Sequence, residues 1–336
     1  MLVQKFPNSL KSLLIKGCLL VEHFLGIICN TQPTCLQSLD ISDCACSLSI
    51  PGHHLPKSLK ELRIQNCRNL EFAATQCMWL ESLEIHDSCD FLTFFPLNTF
   101  PNLKHLVIKG CLHLETLMPP LQLEDSTLDS VTISCCPNFV NFPRFAAPNL
   151  TSFRLIQCPM MSLPSDMNIL LPKLEFLSIW DGPTLDMDLV ISLPPNLQTL
   201  YIMNDKYLLR HLSLMGMHEG ITFLSIGSIS MSVSSFPKVG LLPHFPSLAT
   251  LVLYGFEYME ALDCDGLLHL TSLIALQIGN CPKLKSVKGE RLPSSLLKLE
   301  IYATPFLEEL CNEKHPHIWS KISHIPSIRV NERWVS

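Results

Sequence analysis

The chain has 336 residues, of which 47% are hydrophobic and 16% are charged, and its formal net charge is −6 at pH 7. This composition supplies enough apolar material for a core and argues against intrinsic disorder. The acidic balance leaves no basic footprint, which argues against nucleic acid as a partner.

The N-terminal part of the chain shows neither a secretory signal nor a membrane span. Pro7 and the polar residues that follow it interrupt any apolar signal core. The most apolar stretch, residues 18–29, is too short to cross a bilayer and contains Glu22 and His23. A cytoplasmic or nuclear location is therefore expected.

The chain holds 15 cysteines, which raises the question of a disulfide scaffold. Such scaffolds are usually short, secreted and built on an even number of cysteines. This chain is long and its cysteine count is odd. Reduced and buried thiols are the better prediction.

A short motif, LxxLxI, recurs along the whole chain and predicts a short strand in each unit. We number the places of each unit from its leading residue. The leading residues are Leu10, Leu36, Leu59, Leu80, Leu103, Leu128, Leu150, Leu174, Leu197, Ile221, Leu248, Leu273 and Leu296. The spacing averages about 24 residues, which lies within the range of leucine-rich repeats.

Two further marks accompany the motif. Seven units carry cysteine at the ninth place, where a small, weakly polar thiol suits burial against backbone: Cys18, Cys44, Cys67, Cys111, Cys136, Cys158 and Cys281. A proline often precedes the leading residue, and it predicts a turn into the strand: Pro7, Pro56, Pro101, Pro148, Pro172, Pro195, Pro246 and Pro293.

One such unit cannot bury its apolar face alone, so the units must stack. The predicted fold is an α/β class, irregular leucine-rich-repeat solenoid of about 13 repeats. It has a parallel concave β-sheet and a convex side of loops and short helices. Residues 1–310 form the solenoid and residues 311–336 form a C-terminal cap. The first repeat has no comparable cover, so we expect that an upstream domain is missing here or was present in an ancestor.

Places two, three, five and seven are predicted to face the open, concave side of the sheet. They are charged in the first half of the chain and aromatic in the second, and exposed aromatic and arginine residues dominate binding hot spots. The candidate protein-binding residues are Arg63, Glu84, His86, His105, Arg154, Phe176, Trp180, Tyr201, Phe223, Tyr254 and Tyr302. For any one of them, a purely structural role is an equally good interpretation.

Catalytic motifs are absent from the sequence: it contains no GxSxG, no HExxH and no phosphate-binding loop. The cysteine-rich stretches at residues 44–46, 135–136 and 311–317 lack a second ligand pair with zinc-site spacing. The sequence therefore predicts a protein that is not an enzyme and that has no metal and no cofactor.

The C-terminal residues 281–330 resemble the end of plant nucleotide-binding leucine-rich-repeat disease-resistance proteins of the coiled-coil class. The matching residues are Cys281, Pro282, Leu284, Leu292, Pro293, Ser295, Leu296, Trp319, Lys321, Ile322, His324, Ile325 and Pro326. The resemblance extends in weaker form over nearly the whole chain. One departure is Thr304, which stands at a ninth place that usually holds cysteine.

The resemblance implies a sensor region of an intracellular immune receptor. In that family the repeats bind a pathogen effector or a guarded host protein and restrain a nucleotide-binding domain of the full-length receptor. The ATPase activity of the family cannot be carried over, because the sequence has no phosphate-binding loop.

Two other functions remain open at this stage. An F-box type repeat protein that recruits substrates to a ubiquitin ligase also uses cysteine at the ninth place, but it has more regular repeats and a helical F-box. An extracellular receptor would need a signal peptide and usually shows a GxIP step, and both are missing from this sequence.

Overall fold

The computed structural model describes residues 7, 9–30, 35–45, 47–50, 55–73, 75–118, 127–140, 147–161, 163–182, 192–204, 218–227 and 233–335. These residues fall into two compact units, Met1–Leu174 and Glu175–Ser336, called here the first and the second unit.

The first unit is built on short parallel strands. In chain order they are β1 (Ser12–Lys16), β2 (Ser38–Ser42), β3 (Leu48–Ile50), β4 (Glu61–Gln65), β5 (Leu70–Phe72), β6 (Ser82–His86), β7 (Phe94–Pro96), β8 (His105–Lys109), β9 (Thr116–Met118), β10 (Ser130–Ser134) and β11 (Ser152–Ile156). The main sheet of this unit has the order β1-β2-β4-β6-β8-β10-β11. Helices are few: α1 (Val21–Asn30), the one-turn α2 (Met167–Leu170) and a 3-10 turn at Leu97–Thr99.

The second unit repeats this plan. Its strands are β12 (Phe176–Trp180), β13 (Thr199–Met203), β14 (Phe223–Gly227), β15 (Ser235–Phe236), β16 (Thr250–Tyr254), β17 (Ala261–Asp263), β18 (Ala275–Gly279), β19 (Ser286–Lys288), β20 (Lys298–Tyr302), β21 (Ser327–Val330) and β22 (Arg333–Trp334). The main sheet runs β12-β13-β14-β16-β18-β20-β21, and β22 adds to it as an antiparallel edge strand. Two short helices, α3 (Pro305–Asn312) and α4 (Pro316–Ile322), lie between β20 and β21.

The strands of both main sheets follow the predicted repeat motif. Each of the 13 predicted units carries a five-residue strand at its third to seventh places. Neighbouring strands are in register place by place, so that Leu62 pairs with Leu83 and Ile64 pairs with Ile85. Places four and six point into the core, where Leu62 is 1% exposed and Ile64 is fully buried. Each unit is therefore a leucine-rich-repeat solenoid, as the sequence predicted.

The repeat count is slightly higher than predicted. β21 pairs in parallel with β20, and its Ile328 and Val330 lie opposite Leu299 and Ile301. The motif therefore continues once more from Ile325, which gives 14 parallel strands in the described parts of the two main sheets. The sequence analysis had assigned this stretch to the C-terminal cap, and the structure shows that the loop before it is longer than the others and contains two helices.

The return legs of the repeats hold more regular structure than predicted. Besides turns, they contain a second set of very short parallel strands: β3 pairs with β5, β7 with β9, and β15, β17 and β19 form a three-stranded sheet. Phe95 of β7 and Leu117 of β9 are buried there and close the core opposite the main sheet. The predicted turn before the strand is present, and the N–H of Leu59 donates to Pro56 O at 3.0 Å.

The eighth place of each repeat turns the chain out of the main sheet. All 12 described eighth places in the predicted units have a positive φ, between +47° and +73°. Glycine, asparagine and aspartate adopt this left-handed conformation most readily, and they fill most of these places. The turn keeps a sheet hydrogen bond, because Asn66 N–H donates to His86 O at 2.9 Å. The sequence analysis missed this column, although its residue types were a readable signal.

Cysteine, serine and threonine side chains at several ninth places form a buried ladder of hydrogen bonds between repeats. The Sγ of Cys67 lies 3.4 Å from Gln65 O, and its backbone N–H donates to Ser88 Oγ at 3.0 Å. Ser88, the ninth residue of the next repeat, in turn donates to His86 O at 2.8 Å. Both side chains therefore satisfy backbone groups that would otherwise be buried without partners.

Thr304 fits the same ladder, although it replaces the usual cysteine. Its side chain is fully buried. Its Oγ1 donates to Tyr302 O at 3.1 Å and accepts the N–H of Cys281 at 3.3 Å. A hydroxyl group thus performs the hydrogen bonding of the thiol, and the departure from the family pattern does not disturb the packing of this repeat.

Native thiol labelling is expected to separate the buried cysteines from the exposed ones. Burial raises the pKa of Cys281 to about 11 and that of Cys311 to about 12, whereas Cys35 is exposed. Since the thiolate is the reactive form, an alkylating reagent at neutral pH should modify Cys35 and spare Cys281 and Cys311. Peptide mass spectrometry before and after denaturation measures this, and rapid native labelling of Cys281 would contradict its burial.

Candidate functional site

The open face of each main sheet carries the third, fifth and seventh places of its strands. All the predicted binding residues lie at these places, and none of them is buried. The first unit contributes Arg63, Glu84, His86, His105 and Arg154. The second unit contributes Phe176, Trp180, Tyr201, Phe223, Tyr254 and Tyr302. Strand alternation alone explains this placement.

Two of the predicted residues on the open face of the first unit, Arg63 and Glu84, form an ion pair with each other. The guanidinium of Arg63 bonds to Glu84 Oε2 at 2.6 Å through Nη2. His86 Nε2 lies 3.6 Å from the same carboxylate oxygen, which is too long for a hydrogen bond. His105 Nδ1 lies 2.9 Å from Ser130 Oγ on the next strand. Arg63 and Glu84 would have to give up their pairing before either could bind a partner.

A second ion network follows the second places of three successive repeats. Glu81 accepts from the ammonium group of Lys60 at 2.6 Å and from that of Lys104 at 2.8 Å. The hydrogen bonds from Lys104 and Lys60, in that order, lower the pKa of Glu81 to about 2. The carboxylate is therefore ionised at every physiological pH.

We expect the pKa of Glu81 to rise when a lysine is removed. Lys104→Met deletes the larger contribution, so the carboxyl should titrate closer to the usual 4.5. In the unchanged protein the stabilisation from these pairs is present above pH 4.5 and is lost as the pH falls through about 2. A carbon-detected NMR titration of the Glu81 side chain measures both values, and identical titration curves would contradict the network.

The aromatic residues of the second unit form two groups on its open face. The first group is continuous across three neighbouring strands. The ring centroids of Phe176 and Tyr201 lie 5.5 Å apart, and those of Tyr201 and Phe223 lie 5.2 Å apart. Tilted ring pairs at these distances are stabilising, so these rings form a preorganised apolar surface.

The second group is the pair Tyr254 and Tyr302, which lie on strands separated by β18. Their ring centroids are 6.3 Å apart. The strand between them carries Gly279 at the seventh place, in register with both tyrosines. A Cβ at Gly279 would lie 2.3 Å from the ring of Tyr302, so the absence of a side chain there allows the Tyr302 ring to lie over the strand.

Small or buried residues lie beside these rings on the open face, and the sequence analysis missed them. Gly227 precedes Tyr254 at the seventh place, and a Cβ there would lie 2.3 Å from Tyr254 O. Ser225 and Val252 occupy fifth places, yet they are only 5% and 8% exposed. Trp180 stands at the other end of this row and is 45% exposed. Uncharged aromatic rings beside small or buried residues suit an apolar side chain inserted by a partner.

The aromatic surface ends at a compact group of charges. Glu300 accepts from Lys298 Nζ at 2.9 Å and from Gln277 Nε2 at 2.8 Å, and Arg329 Nη1 lies 3.7 Å from it. Arg329 also lies over the Trp334 ring, 5.6 Å from its centroid. The sequence analysis named none of these residues, because it singled out only aromatic residues in the second half of the chain and did not recognise β21 as a strand.

In the described part of the chain, no group of three or more His, Cys, Asp or Glu side chains is arranged to hold a metal ion. Cys44 and Cys136 belong to the ninth-place ladder, and Cys311 is buried in α3. Cys46 lies outside the described residues. Of the helices that the structure describes, none has the length and apolar character needed to cross a membrane.

Comparison with solved structures identifies the fold. CroV588, a circular leucine-rich-repeat protein, superposes with a TM-score of 0.51 at 18% identity, over 88% of this chain and 47% of that one. An internalin from Listeria monocytogenes gives a TM-score of 0.44 at 14% identity, over 88% of this chain and 81% of the internalin.

Comparison of sequences finds "Putative disease resistance protein At3g14460" of Arabidopsis thaliana. It is 30% identical over 339 residues, which cover 98% of this chain and 24% of the relative. The chain is a leucine-rich-repeat region related to plant disease-resistance proteins. This leucine-rich-repeat region spans about a quarter of the length of the curated relative that it matches. No protein-family model matches it.

Proposed function

We propose that this leucine-rich-repeat region is the protein-binding sensor of an intracellular plant immune receptor. It recognises a pathogen effector or a guarded host protein and restrains a nucleotide-binding domain of the full-length receptor. The role is one of binding and not of catalysis, and the proposed location is the cytoplasm. The relationship to the Arabidopsis protein supports the immune setting.

The observation that carries the binding role is the aromatic open face of the second unit. Trp180, Tyr254 and Tyr302 are 45%, 37% and 36% exposed, so each ring has area left to bury against a partner. Their backbone positions are fixed by in-register parallel strands. Rigid, half-exposed aromatic residues provide binding area at a low cost in conformational entropy.

The test is direct capture. The purified chain is immobilised and exposed first to secreted proteins of plant pathogens and then to a host-cell extract, and each captured protein is purified and titrated. Saturable one-to-one binding of an effector or host protein is the expected result. Saturable binding of a ubiquitin-ligase adaptor, with no effector or host target, would contradict the proposal and favour the F-box alternative.

The genomic sequence upstream of the Met1 codon tests the second half of the proposal. An in-frame phosphate-binding loop is expected if the repeats restrain a nucleotide-binding domain. The nucleotide-binding domain encoded there should then co-purify with this chain when the two are expressed together. An in-frame F-box would overturn the receptor assignment.

A further inference from the structure

The open face of five neighbouring strands in the second unit carries no charged side chain. β12, β13, β14, β16 and β18 lie side by side, and each presents its third, fifth and seventh places, which gives 15 places in the described part of the chain. None of these places holds Asp, Glu, Lys, Arg or His. In the first unit, six of the seven main-sheet strands carry at least one such residue at the same places. We call these 15 places of the second unit the uncharged face.

The uncharged face combines aromatic rings with hydroxyl groups. Besides its rings, it carries Ser178, Thr199 and Thr250, all of which are half-buried. A hydroxyl group both donates and accepts hydrogen bonds. An extended polypeptide needs such groups, because its backbone N–H and C=O groups require hydrogen-bond partners when they leave water. The combination favours a polypeptide as the occupant over a lipid chain, which has no backbone polar groups to satisfy.

Two exposed aliphatic residues extend the apolar surface past the third-place row. Ile274 and Leu297 stand at second places of neighbouring repeats and are 47% and 54% exposed. They are adjacent, since the backbone N–H of Leu297 donates to Ile274 O at 2.9 Å. Contiguous exposed apolar side chains of this size are typical of interaction sites.

The uncharged face ends where charges return on β20 and β21. Lys298 and Glu300 stand at the third and fifth places of β20, and Arg329 stands at the fifth place of β21. Glu300 accepts from Lys298 at 2.9 Å and lies 3.7 Å from Arg329. These charges form their own group at the border, and they leave β12 to β18 without an opposite charge to offer a partner.

The size of the uncharged face suits a short segment. Five strands at the usual spacing measure about 19 Å across, and the third to seventh places measure about 13 Å along each strand. The resulting area of about 250 Å² is about one-third of the 800 Å² that each partner buries in a standard interface. An extended chain crosses 19 Å in about six residues. The uncharged face is therefore large enough to anchor one short segment of a larger partner.

We propose that the uncharged face binds a short polypeptide segment whose side chains are apolar or aromatic and carry no charge. A charged side chain placed there would lose its water and find no opposite charge among the 15 places, which is costly. The face therefore selects its partner partly by excluding charge. This inference rests on the protein-binding role proposed above, and it adds the chemistry of the segment that is bound.

The experiment probes an array of eight-residue peptides with the labelled chain. Each apolar and aromatic peptide is paired with two copies in which one central residue is replaced by glutamate or by lysine. The uncharged peptides should be retained, and both charged copies should bind at least about tenfold more weakly, as expected when a charge is buried without a partner. Raising the salt concentration should leave the retention of the uncharged peptides unchanged.

A charge placed on the protein tests the same face from the other side. Thr250 lies between Phe223 and Ala275 at the third place, so Thr250→Glu should weaken the retained peptides at least about tenfold. Ser152→Glu is the matched control, because Ser152 is also half-buried at a third place but belongs to the first unit. Thr199→Glu repeats the test at a second position, and thermal melting of every variant checks that the fold persists.

Retention of the charged copies as strong as that of the uncharged peptides would overturn the inference. Retention of no peptide, or equal effects of Thr250→Glu, Thr199→Glu and Ser152→Glu in folded variants, would do the same. Failure of the sensor role gives a different result: the array selects uncharged peptides, but no effector or host protein is captured. A captured protein whose binding tolerates Thr250→Glu and Thr199→Glu would contradict the inference and leave the sensor role in place.

Discussion

Replacing Leu276 by alanine is expected to lower the free energy of unfolding by about 2–5 kcal/mol. Leu276 is fully buried and stands at the fourth place of its repeat, in β18. It lies between the equivalent residues of the neighbouring strands, Leu251 on one side and Leu299 on the other. The substitution would leave a cavity at the centre of this stack, where the rigid sheet allows little collapse.

Urea unfolding followed by circular dichroism measures this loss, with Leu297→Ala as the control. Leu297 stands at a second place and is 54% exposed, so its truncation should change the free energy of unfolding by less than about 0.5 kcal/mol. Equal effects of the two substitutions would contradict the stacked-leucine core. Each repeat contacts only its neighbours. Leu276→Ala is therefore also expected to broaden the urea unfolding transition.

The combined variant Trp180→Ala, Tyr254→Ala and Tyr302→Ala is expected to weaken binding of the captured protein partner by at least about 100-fold. Truncation of a single hot-spot aromatic residue often costs about 2 kcal/mol or more of binding free energy. Three such losses together exceed the free-energy equivalent of a 100-fold change, even when they are not additive. The fold should persist, because each ring is more than one-third exposed. A titration with the purified partner measures the loss.

Two aromatic residues away from the open face provide the control for this variant. Tyr258 and Phe306 are 47% and 52% exposed, so they match the three target residues in exposure. Tyr258→Ala with Phe306→Ala should leave the dissociation constant within about threefold of the parent value, as expected for residues outside a hot spot. Unchanged binding by the triple variant would place the partner on another surface.

The strands were predictable from sequence because their cause is local. A residue such as Leu62 is buried since its strand alternates and one face of that strand is apolar, and both properties are visible within six residues. The ninth-place cysteines followed from the same reasoning. β21 escaped prediction because helices α3 and α4 lengthen the loop before it and break the usual spacing.

The face on which each candidate residue lies was predictable for the same reason, but its neighbours were not. Arg63 and Glu84 are 21 residues apart, and nothing in either repeat alone shows that they pair. Whether the two meet depends on the register between strands and on the rotamers of both side chains. The sequence therefore predicted charged residues on the open face of the first unit, and only the structure showed that Arg63 and Glu84 pair with each other.

The amino-acid sequence by itself determined the repeating strand, the buried leucines and the outward aromatic places of this leucine-rich-repeat region, since these depend on the period of a few adjacent residues. The tertiary structure alone decided which residues at those places contact one another. Tyr254 and Tyr302 approach each other because Gly279, on the strand between them, has no side chain to keep them apart. Contacts of this kind join residues from different repeats, and their distances are set by the stacking of strands and not by any local pattern.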